Sequence, residues 1–126
     1  MEKSELIDLI LDCVKEVRNV FSAGYVEEVY KKALAIELKI RGLNCQVEYP
    51  IPISYKGIHV GDYFADILVE NRIILELKAV QNLINVHELQ LVNYLTATGI
   101  DDGLLINFGS DKIQIRHKYR VYTPQK

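Results

Sequence analysis

The sequence predicts one α/β domain over residues 1–126, with helices and strands in the order ααββββαββ. Apolar residues recur at helical spacing through residues 4–41, which indicates two amphipathic helices. The period changes to two over residues 46–79, as expected for strands, and becomes helical again from about residue 86. A chain of this length can bury a core without disulfides or a structural metal.

The N-terminal part divides into two helices. The first covers residues 4–19, and the second runs from about Tyr25 to Arg41, where Gly42 is suited to end it. The segment from residue 21 to residue 24 breaks the apolar pattern between them. The two helices are therefore expected to form an opening hairpin.

Four strands are predicted between Gln46 and Ala79, as an antiparallel meander with turn signals at residues 55–57 and 70–72. Pro50 and Pro52 lie in the first of these strands. Because proline has no N–H to donate to a ladder, that strand is expected to lie at an edge of the sheet or to be irregular.

A third helix is expected from about Val86 to Thr98, with Gly99 as its end. The run that follows, residues 103–108, is almost entirely apolar, as in a strand that is covered on both faces. After a turn at residues 109–111 the chain alternates apolar and polar side chains, which predicts a last strand.

Composition excludes several classes of protein. Hydrophobic residues make up 49% of the chain and charged residues 25%, so neither a disordered nor a fibrous chain is indicated. No apolar run approaches the roughly 20 residues that span a bilayer, and no export signal is visible. A cytoplasmic protein without membrane association is expected. Cys13 and Cys45 lack the spacing of metal ligands and are interpreted as small apolar residues without a disulfide.

Basic residues are concentrated at the C-terminal end. The net charge of −2 argues against a protein that coats nucleic acid through bulk electrostatics. Residues 111–126 nevertheless hold one acidic residue and five basic ones, namely Lys112, Arg116, Lys118, Arg120 and Lys126. Two interpretations stay open: a basic edge on an acidic body, or an edge strand whose charges prevent aggregation.

Glu76 and Lys78 are charged residues inside an otherwise apolar strand, where burial is costly unless such groups are paired or bind a metal. Because side chains alternate along a strand, the two point to the same face. Asp66 lies in the preceding strand. A three-residue hairpin loop would pair Val69 with Ile73 and place Asp66 directly opposite Glu76.

Two facing carboxylates repel each other, and a divalent cation such as Mg²⁺ or Mn²⁺ removes that conflict. A two-residue loop would shift the register and separate the two acids. The structural alternative is a salt bridge from Lys78 to Glu76 or Asp66, which is a frequent arrangement in strands. The three residues alone leave both interpretations open.

The second helix supplies another carboxylate. Glu27 lies at the edge of the apolar stripe of this helix and can lean towards the sheet. Glu28 neighbours Lys31 and Lys32 on the solvent side and is interpreted as part of a surface ion pair.

The third helix carries an amide and a phenol on one face. Gln90 and Tyr94 are one turn apart, a spacing that suits them to hold a phosphate, a water molecule or the amine of Lys78. The alternative is a polar helix flank with a half-buried tyrosine.

These features together resemble a known family. Gly24, Glu27 and Tyr30 form the pattern G-x-x-E-x-x-Y, and the chain is identified as similar to the GxxExxY family of the PD-(D/E)XK nuclease superfamily. The Gln-x-x-x-Tyr element also resembles that of RecB-like nucleases. The likeness extends over nearly the whole chain and includes the turn at residues 55–57, Asp66, residues 76–78, Gln90 with Tyr94, and residues 103–109. The proline named in the superfamily label is Phe64 or Ala65 here.

The resemblance implies a restriction-endonuclease-like core, in which a mixed sheet is flanked by helices. It also implies a site at which Asp66 and Glu76 bind Mg²⁺ or Mn²⁺. The carbonyl of Leu77 would add a further ligand.

The remaining roles come from the same resemblance. Lys78 would position or activate the attacking water and stabilise charge on the phosphate. Glu27 would contribute an acidic group from its helix, either at the metal or behind its ligands. Gln90 and Tyr94 would orient the substrate or the lysine.

The implied function is metal-dependent hydrolysis of nucleic-acid phosphodiester bonds, with DNA as the first expectation. The alternative is a non-catalytic module that keeps the fold and binds nucleic acid or protein, which the small size and acidic charge also suit. A catalytic core of this size has little surface left for sequence recognition. A homodimer or a partner protein is therefore expected where specificity is needed.

Overall fold

The computed structural model describes residues 1–121. This part of the chain contains three helices, which are α1 (Lys3–Val20), α2 (Glu27–Ile40) and α3 (Asn85–Thr98). It also contains five strands, which are β1 (Cys45–Tyr55), β2 (Ile58–Val69), β3 (Ile73–Lys78), β4 (Asp102–Asn107) and β5 (Gln114–Tyr119).

The strands form one mixed sheet in the order β1-β2-β3-β4-β5. α3 connects β3 to β4, which run parallel, and the other neighbouring strands are antiparallel. α1 and α2 cover the face that carries Leu75 and Leu77, and α3 covers the face that carries Ile74 and Leu105. The predicted α/β class, with a mixed sheet flanked by helices as in restriction-endonuclease-like folds, is confirmed.

The predicted number of strands is wrong. The segment from residue 46 to residue 79 holds three strands instead of four, so the order in the described residues is ααβββαββ. Only the two expected turns divide this segment, and β1 and β2 run for 11 and 12 residues. Pro50 and Pro52 stay within β1, which is an edge strand as predicted, because at an edge the position of a missing N–H can face solvent.

Both cysteines are free thiols. Cys13 is buried, as predicted, and Cys45 is partly buried. β5 is the second edge of the sheet, and its Lys118 forms a 3.1 Å ion pair with Glu88 of α3. Lys126 lies outside the described residues. No helix within residues 1–121 has the length and apolar character to cross a membrane.

The sheet forks between β2 and β3. Their ladder extends three pairs from the turn and ends at Ile67–Leu75, although both strands continue. Beyond that point β2 stays paired with β1, and β3 stays paired with β4. The fork opens directly in front of Asp66 and Glu76.

The β1–β2 hairpin changes faces at the fork. Ile67 and Val69 pack beneath α1 and α2, whereas Ala65 and Ile51 pack on the α3 side. The change coincides with Glu48 of β1, whose φ of 57° lies in the left-handed region that residues other than glycine rarely adopt. The outer part of the hairpin therefore lies towards α3.

Asn107 ties the end of β3 to β4. Its buried side chain accepts a hydrogen bond from the N–H of Val80 at 3.0 Å and donates one to the carbonyl of Val80 at 2.9 Å. Gly109 packs against the same backbone, where a Cβ atom would lie 2.5 Å from the Val80 nitrogen. These contacts fix the strand end that carries Lys78.

Candidate active site

Asp66 and Glu76 face each other across the fork. The pairing of Val69 with Ile73, expected from a three-residue loop, is confirmed. The N–H of Asp66 donates to Oε1 of Glu76 at 2.9 Å, and the N–H of Leu77 donates to Oδ2 of Asp66 at 2.8 Å. Each carboxylate thus satisfies a backbone donor of the opposite strand that the interrupted ladder leaves free.

The carboxylate pair is buried and carries an electrostatic conflict. Glu76 is 5% exposed. Burial, and after it the charge of Asp66, raises the pKa of Glu76 to about 8. Burial also raises the pKa of Asp66, although the N–H of Leu77 acts in the opposite direction. At neutral pH the pair therefore holds a proton unless a cation takes its place.

Lys78 lies beside the carboxylate pair without neutralising it. Its Nζ donates a long hydrogen bond of 3.5 Å to Oε1 of Gln90 on α3. Within residues 1–121 it forms no ion pair with Asp66, Glu76 or any other carboxylate. The salt bridge that the sequence left open as an alternative is therefore absent from the described structure.

Glu27, the first residue of α2, faces the same space. Burial, followed by the charge of Asp66, raises the pKa of Glu27, and the ammonium groups of Lys78 and Lys31 lower it. These interactions match the lean towards the sheet that the helical stripe predicted. The structure thus brings a third carboxylate within electrostatic reach of the facing pair.

Tyr94 borders the site from α3. Its ring centroid lies 5.7 Å from that of Tyr63 on β2. Burial, followed by the charge of Glu76, raises the pKa of Tyr94 to about 12, so its hydroxyl keeps a proton that it can donate. His87, one turn before Gln90, accepts a hydrogen bond from the N–H of Ile84 and so serves the start of the helix.

Sequence reasoning placed Lys31 on the helix face of Glu27 and beside Glu28 on the solvent side, but it missed that the lysine is buried among carboxylates. The Lys31 side chain is only 8% exposed. Its Nζ contacts Glu48, lies 3.0 Å from Oε2 of Glu28, and lies 3.9 Å from Oδ1 of Asp66. Burial by itself would lower the pKa of Lys31, but hydrogen bonds to Glu48 and Glu28 outweigh it and raise that pKa.

One signal for Lys31 was present in the sequence. Lys31 follows Glu27 by four residues, so the two side chains share one face of α2 and point in the same direction. The contact with Glu48 had no comparable signal, because it depends on the left-handed backbone of β1.

The residues present suit a divalent cation held by two carboxylates. No group of three or more His, Cys, Asp or Glu side chains in residues 1–121 is arranged to hold a metal. Asp66 and Glu76 each use one oxygen for a backbone N–H. The second oxygen of Glu76, and Oδ1 of Asp66, which lies 3.9 Å from Nζ of Lys31, are the hard ligands that remain. Mg²⁺ accepts one or two carboxylates when water and substrate oxygens complete its coordination, so the donor set fits.

The family of the chain follows from its sequence. The family model of the PD-(D/E)XK nuclease superfamily matches residues 4–120, which is nearly the whole chain. The chain belongs to this superfamily. A search among curated proteins gave no match.

A solved structure has a similar fold. It is described as the crystal structure of SSO0001, and it superposes with a TM-score of 0.58 over 77% of the present chain. The superposed part is 52% of that protein, so the present chain spans about half its length. The sequence identity is 21%, and the likeness therefore shows the fold alone.

Proposed function

We propose that this chain is a metal-dependent nuclease that hydrolyses phosphodiester bonds of nucleic acid, with DNA as its expected substrate. We also propose that residues 1–126 form one domain and that the chain is one of the GxxExxY proteins of its superfamily. Its proposed location is the cytoplasm. The observation that carries the proposal is the state of the facing carboxylates. Asp66 and Glu76 share a buried site, while Lys78 beside them is bound to an amide and to neither acid.

A purely structural role does not account for this arrangement. Buried charges in a stable fold are normally paired, because an unpaired one loses hydration without a compensating contact. Here Glu76 is buried and its pKa is raised, while the half-buried ammonium group of Lys78, close enough to influence that pKa, pairs with no carboxylate among residues 1–121. Groups with such perturbed pKa values cluster at sites of chemistry.

The carboxylates and the lysine have different proposed roles, which are metal binding and stabilisation of the reacting groups. Bound at Asp66 and Glu76 with the carbonyl of Leu77, Mg²⁺ or Mn²⁺ would supply a water of lowered pKa and positive charge for the phosphoryl oxygen. Lys78 orients the attacking water and stabilises the charge that develops on the phosphate. The contacts of Asn107 hold the strand end from which Lys78 acts.

The flanking helices position these groups. Gln90 holds the Lys78 ammonium, and Tyr94 keeps its hydroxyl proton to donate to a phosphate oxygen or a water. Glu27 adds a carboxylate from α2 that strengthens the attraction of the site for a cation. A homodimer or a partner protein would supply the recognition surface that this small core lacks.

Cleavage and metal binding test the proposal together. The purified chain would be incubated with labelled single-stranded, duplex and branched DNA and with RNA, in Mg²⁺ or Mn²⁺, and Mn²⁺ binding would be followed by electron paramagnetic resonance. Asp66→Asn should lose at least about a hundredfold in cleavage and should bind Mn²⁺ more weakly. Asp62→Asn is the matched control, because Asp62 lies on the same strand with a 60% exposed side chain.

Two outcomes would contradict the proposal. One is a folded wild-type chain that cleaves none of the four substrates and binds no Mn²⁺, which would favour a non-catalytic binding module. The other is cleavage that Asp66→Asn leaves unchanged, which would place the activity elsewhere or in a contaminant.

A further inference from the structure

A groove lies next to the candidate active site, between α3 and the outer part of the β1–β2 hairpin. Its volume is about 750 Å³, within the range of roughly 300–1,000 Å³ in which proteins hold small organic ligands. Ile53 and Tyr63 line it from the hairpin, and Leu89, Asn93 and Ala97 line it from one face of α3. Beyond the fork the β1–β2 hairpin packs on the α3 side of the sheet, and the groove lies between this part of the hairpin and α3.

The groove is continuous with the candidate active site. Gln90 and Tyr94 belong to its wall, and the same Gln90 accepts the hydrogen bond of Lys78. The charge of Glu76 acts on Tyr94. A polymer with a phosphate at the carboxylate pair therefore places its neighbouring unit at the mouth of the groove.

The residues that line the groove suit a flat ligand that carries no charge. None of the described residues that line the groove carries a charged side chain. Tyr63 is 50% exposed, and its ring lies 5.7 Å from that of Tyr94 at an angle of 48°, so the groove presents two neighbouring aromatic rings on which a flat ligand can stack. The side-chain amides of Asn93 and Gln90 offer donors and acceptors of the kind that pair with base edges.

From these observations we propose that the groove binds unpaired nucleobases, so that the substrate is single-stranded DNA or the frayed end of a duplex. The inference rests on the proposed nuclease function and narrows its substrate class. Phosphates stay outside, at Lys78 and the carboxylate pair, and the adjacent base enters and stacks on Tyr63. Bases inside an intact duplex are paired and stacked, and they cannot enter without being extruded at an energetic cost.

Binding without cleavage tests the groove by itself. Fluorescein-labelled 12-nucleotide single strands and the matching duplex would be titrated with the chain in EDTA, with anisotropy as the readout. A single strand with 2-aminopurine should lose fluorescence on binding, because stacking quenches that base. Tyr63→Ala should weaken single-strand binding roughly tenfold or more and remove the quenching, while Tyr63→Phe should change it less than about twofold.

Two further variants separate stacking in the groove from a general loss of binding. Tyr55→Ala removes an exposed tyrosine that lies on β1 and does not line the groove. This variant should leave binding unchanged. Leu89→Glu places a charge in the opposite wall at a 59% exposed position and should weaken single-strand binding as Tyr63→Ala does. Thermal unfolding of each variant would establish that the fold is retained.

The results separate the two proposals. Cleavage by the wild type combined with equal binding of single strand and duplex, or with no effect of Tyr63→Ala, would overturn the base-binding groove and leave the nuclease intact. Single-strand binding that depends on Tyr63, without cleavage on any substrate, would support the groove and overturn the nuclease. A concentration-dependent dimer in light scattering that Leu89→Glu dissolves would show that a second copy of the chain covers the groove, and would overturn the inference.

Discussion

Two lysines flank the carboxylate pair, and their surroundings differ sharply. Lys31 on α2 is held among three carboxylates that come from α2, β1 and β2. Lys78 on β3 meets one amide, that of Gln90, at 3.5 Å. The charge of Lys31 is compensated by its neighbours, whereas that of Lys78 is left for a further ligand.

Under the proposed function, this difference separates a side of the site that positions Asp66 from a side that takes part in the reaction. Around Lys31 even the backbone is strained, since Glu48 adopts a φ of 57° while its carboxylate contacts the ammonium. Such strain persists only where surrounding contacts impose it. We infer that the α2 side sets the place of Asp66 and that the β3 side performs the chemistry.

The largest expected effect is that of removing the Lys78 charge. Lys78→Met should reduce cleavage by about 10²–10³-fold, because one stabilising group for the transition state is lost. Its thermal unfolding should change little, since no ion pair within residues 1–121 is broken. Cleavage rates and melting curves measured on the same preparation check both statements. A variant that melts much earlier and still cleaves would reverse the assignment of the two sides.

The second prediction concerns the proton of Glu76, whose pKa stays raised although Lys78 is nearby. Its folded-state pKa of about 8 lies above the ordinary value of 4.5, so the folded state binds this proton more tightly than the unfolded state does. The associated stability is fully present below about pH 4.5 and is lost as the pH rises to about 8. Glu76→Gln should therefore match the wild type near pH 4.5 and exceed it by about 4 kcal/mol at pH 8.

Urea unfolding in EDTA at several pH values measures this difference. Glu16→Gln, on an exposed part of α1, is a control that should show no such trend. If the gap between Glu76→Gln and the wild type failed to widen between pH 5 and pH 8, the site would be less strained than the geometry indicates. The stabilised variant should also bind Mn²⁺ more weakly than the wild type.

The smallest expected effect is on the Lys31 side, and it is an effect on stability. Lys31→Met should lower the free energy of unfolding by about 2 kcal/mol, because Asp66 and Glu48 lose their common partner. The value is kept low because Glu48 is more than half exposed and partly hydrated. Lys32→Met, with a 74% exposed side chain on the same helix, should cost almost nothing.

A double-mutant cycle would sharpen this last number. Glu48→Gln combined with Lys31→Met should reveal a coupling of about 1 kcal/mol between the two groups. Additive effects would show that the contact contributes no stability, and the description of Lys31 as a structural charge would then be wrong.

Sequence reasoning reached the facing acids because the rules involved are local. The loop at residues 70–72 has three residues, this length fixed Val69 opposite Ile73, and side-chain alternation then put Asp66 opposite Glu76. The same rules miscounted the strands before that turn, since β1 and β2 are each about twice as long as an ordinary strand.

The contacts of Lys31 show where such reasoning ends. Helical spacing identified Glu28 as its neighbour, and the structure contains that ion pair. The second partner, Glu48, lies 17 residues further along the chain and reaches Lys31 through a backbone conformation that its residue type does not announce. Burial of the lysine therefore emerges only when α2 packs beside β1.

The crossed hydrogen bonds at the fork have one more consequence. The side chains of Asp66 and Glu76 act as a wedge: they occupy strand N–H groups for which a longer β2–β3 ladder would compete. Replacing either acid with alanine removes the wedge along with the charge, and the two strands can then form further ladder hydrogen bonds. Inactivity of such a variant would have two causes, whereas asparagine or glutamine keeps the wedge in place and isolates the chemistry of the carboxylate.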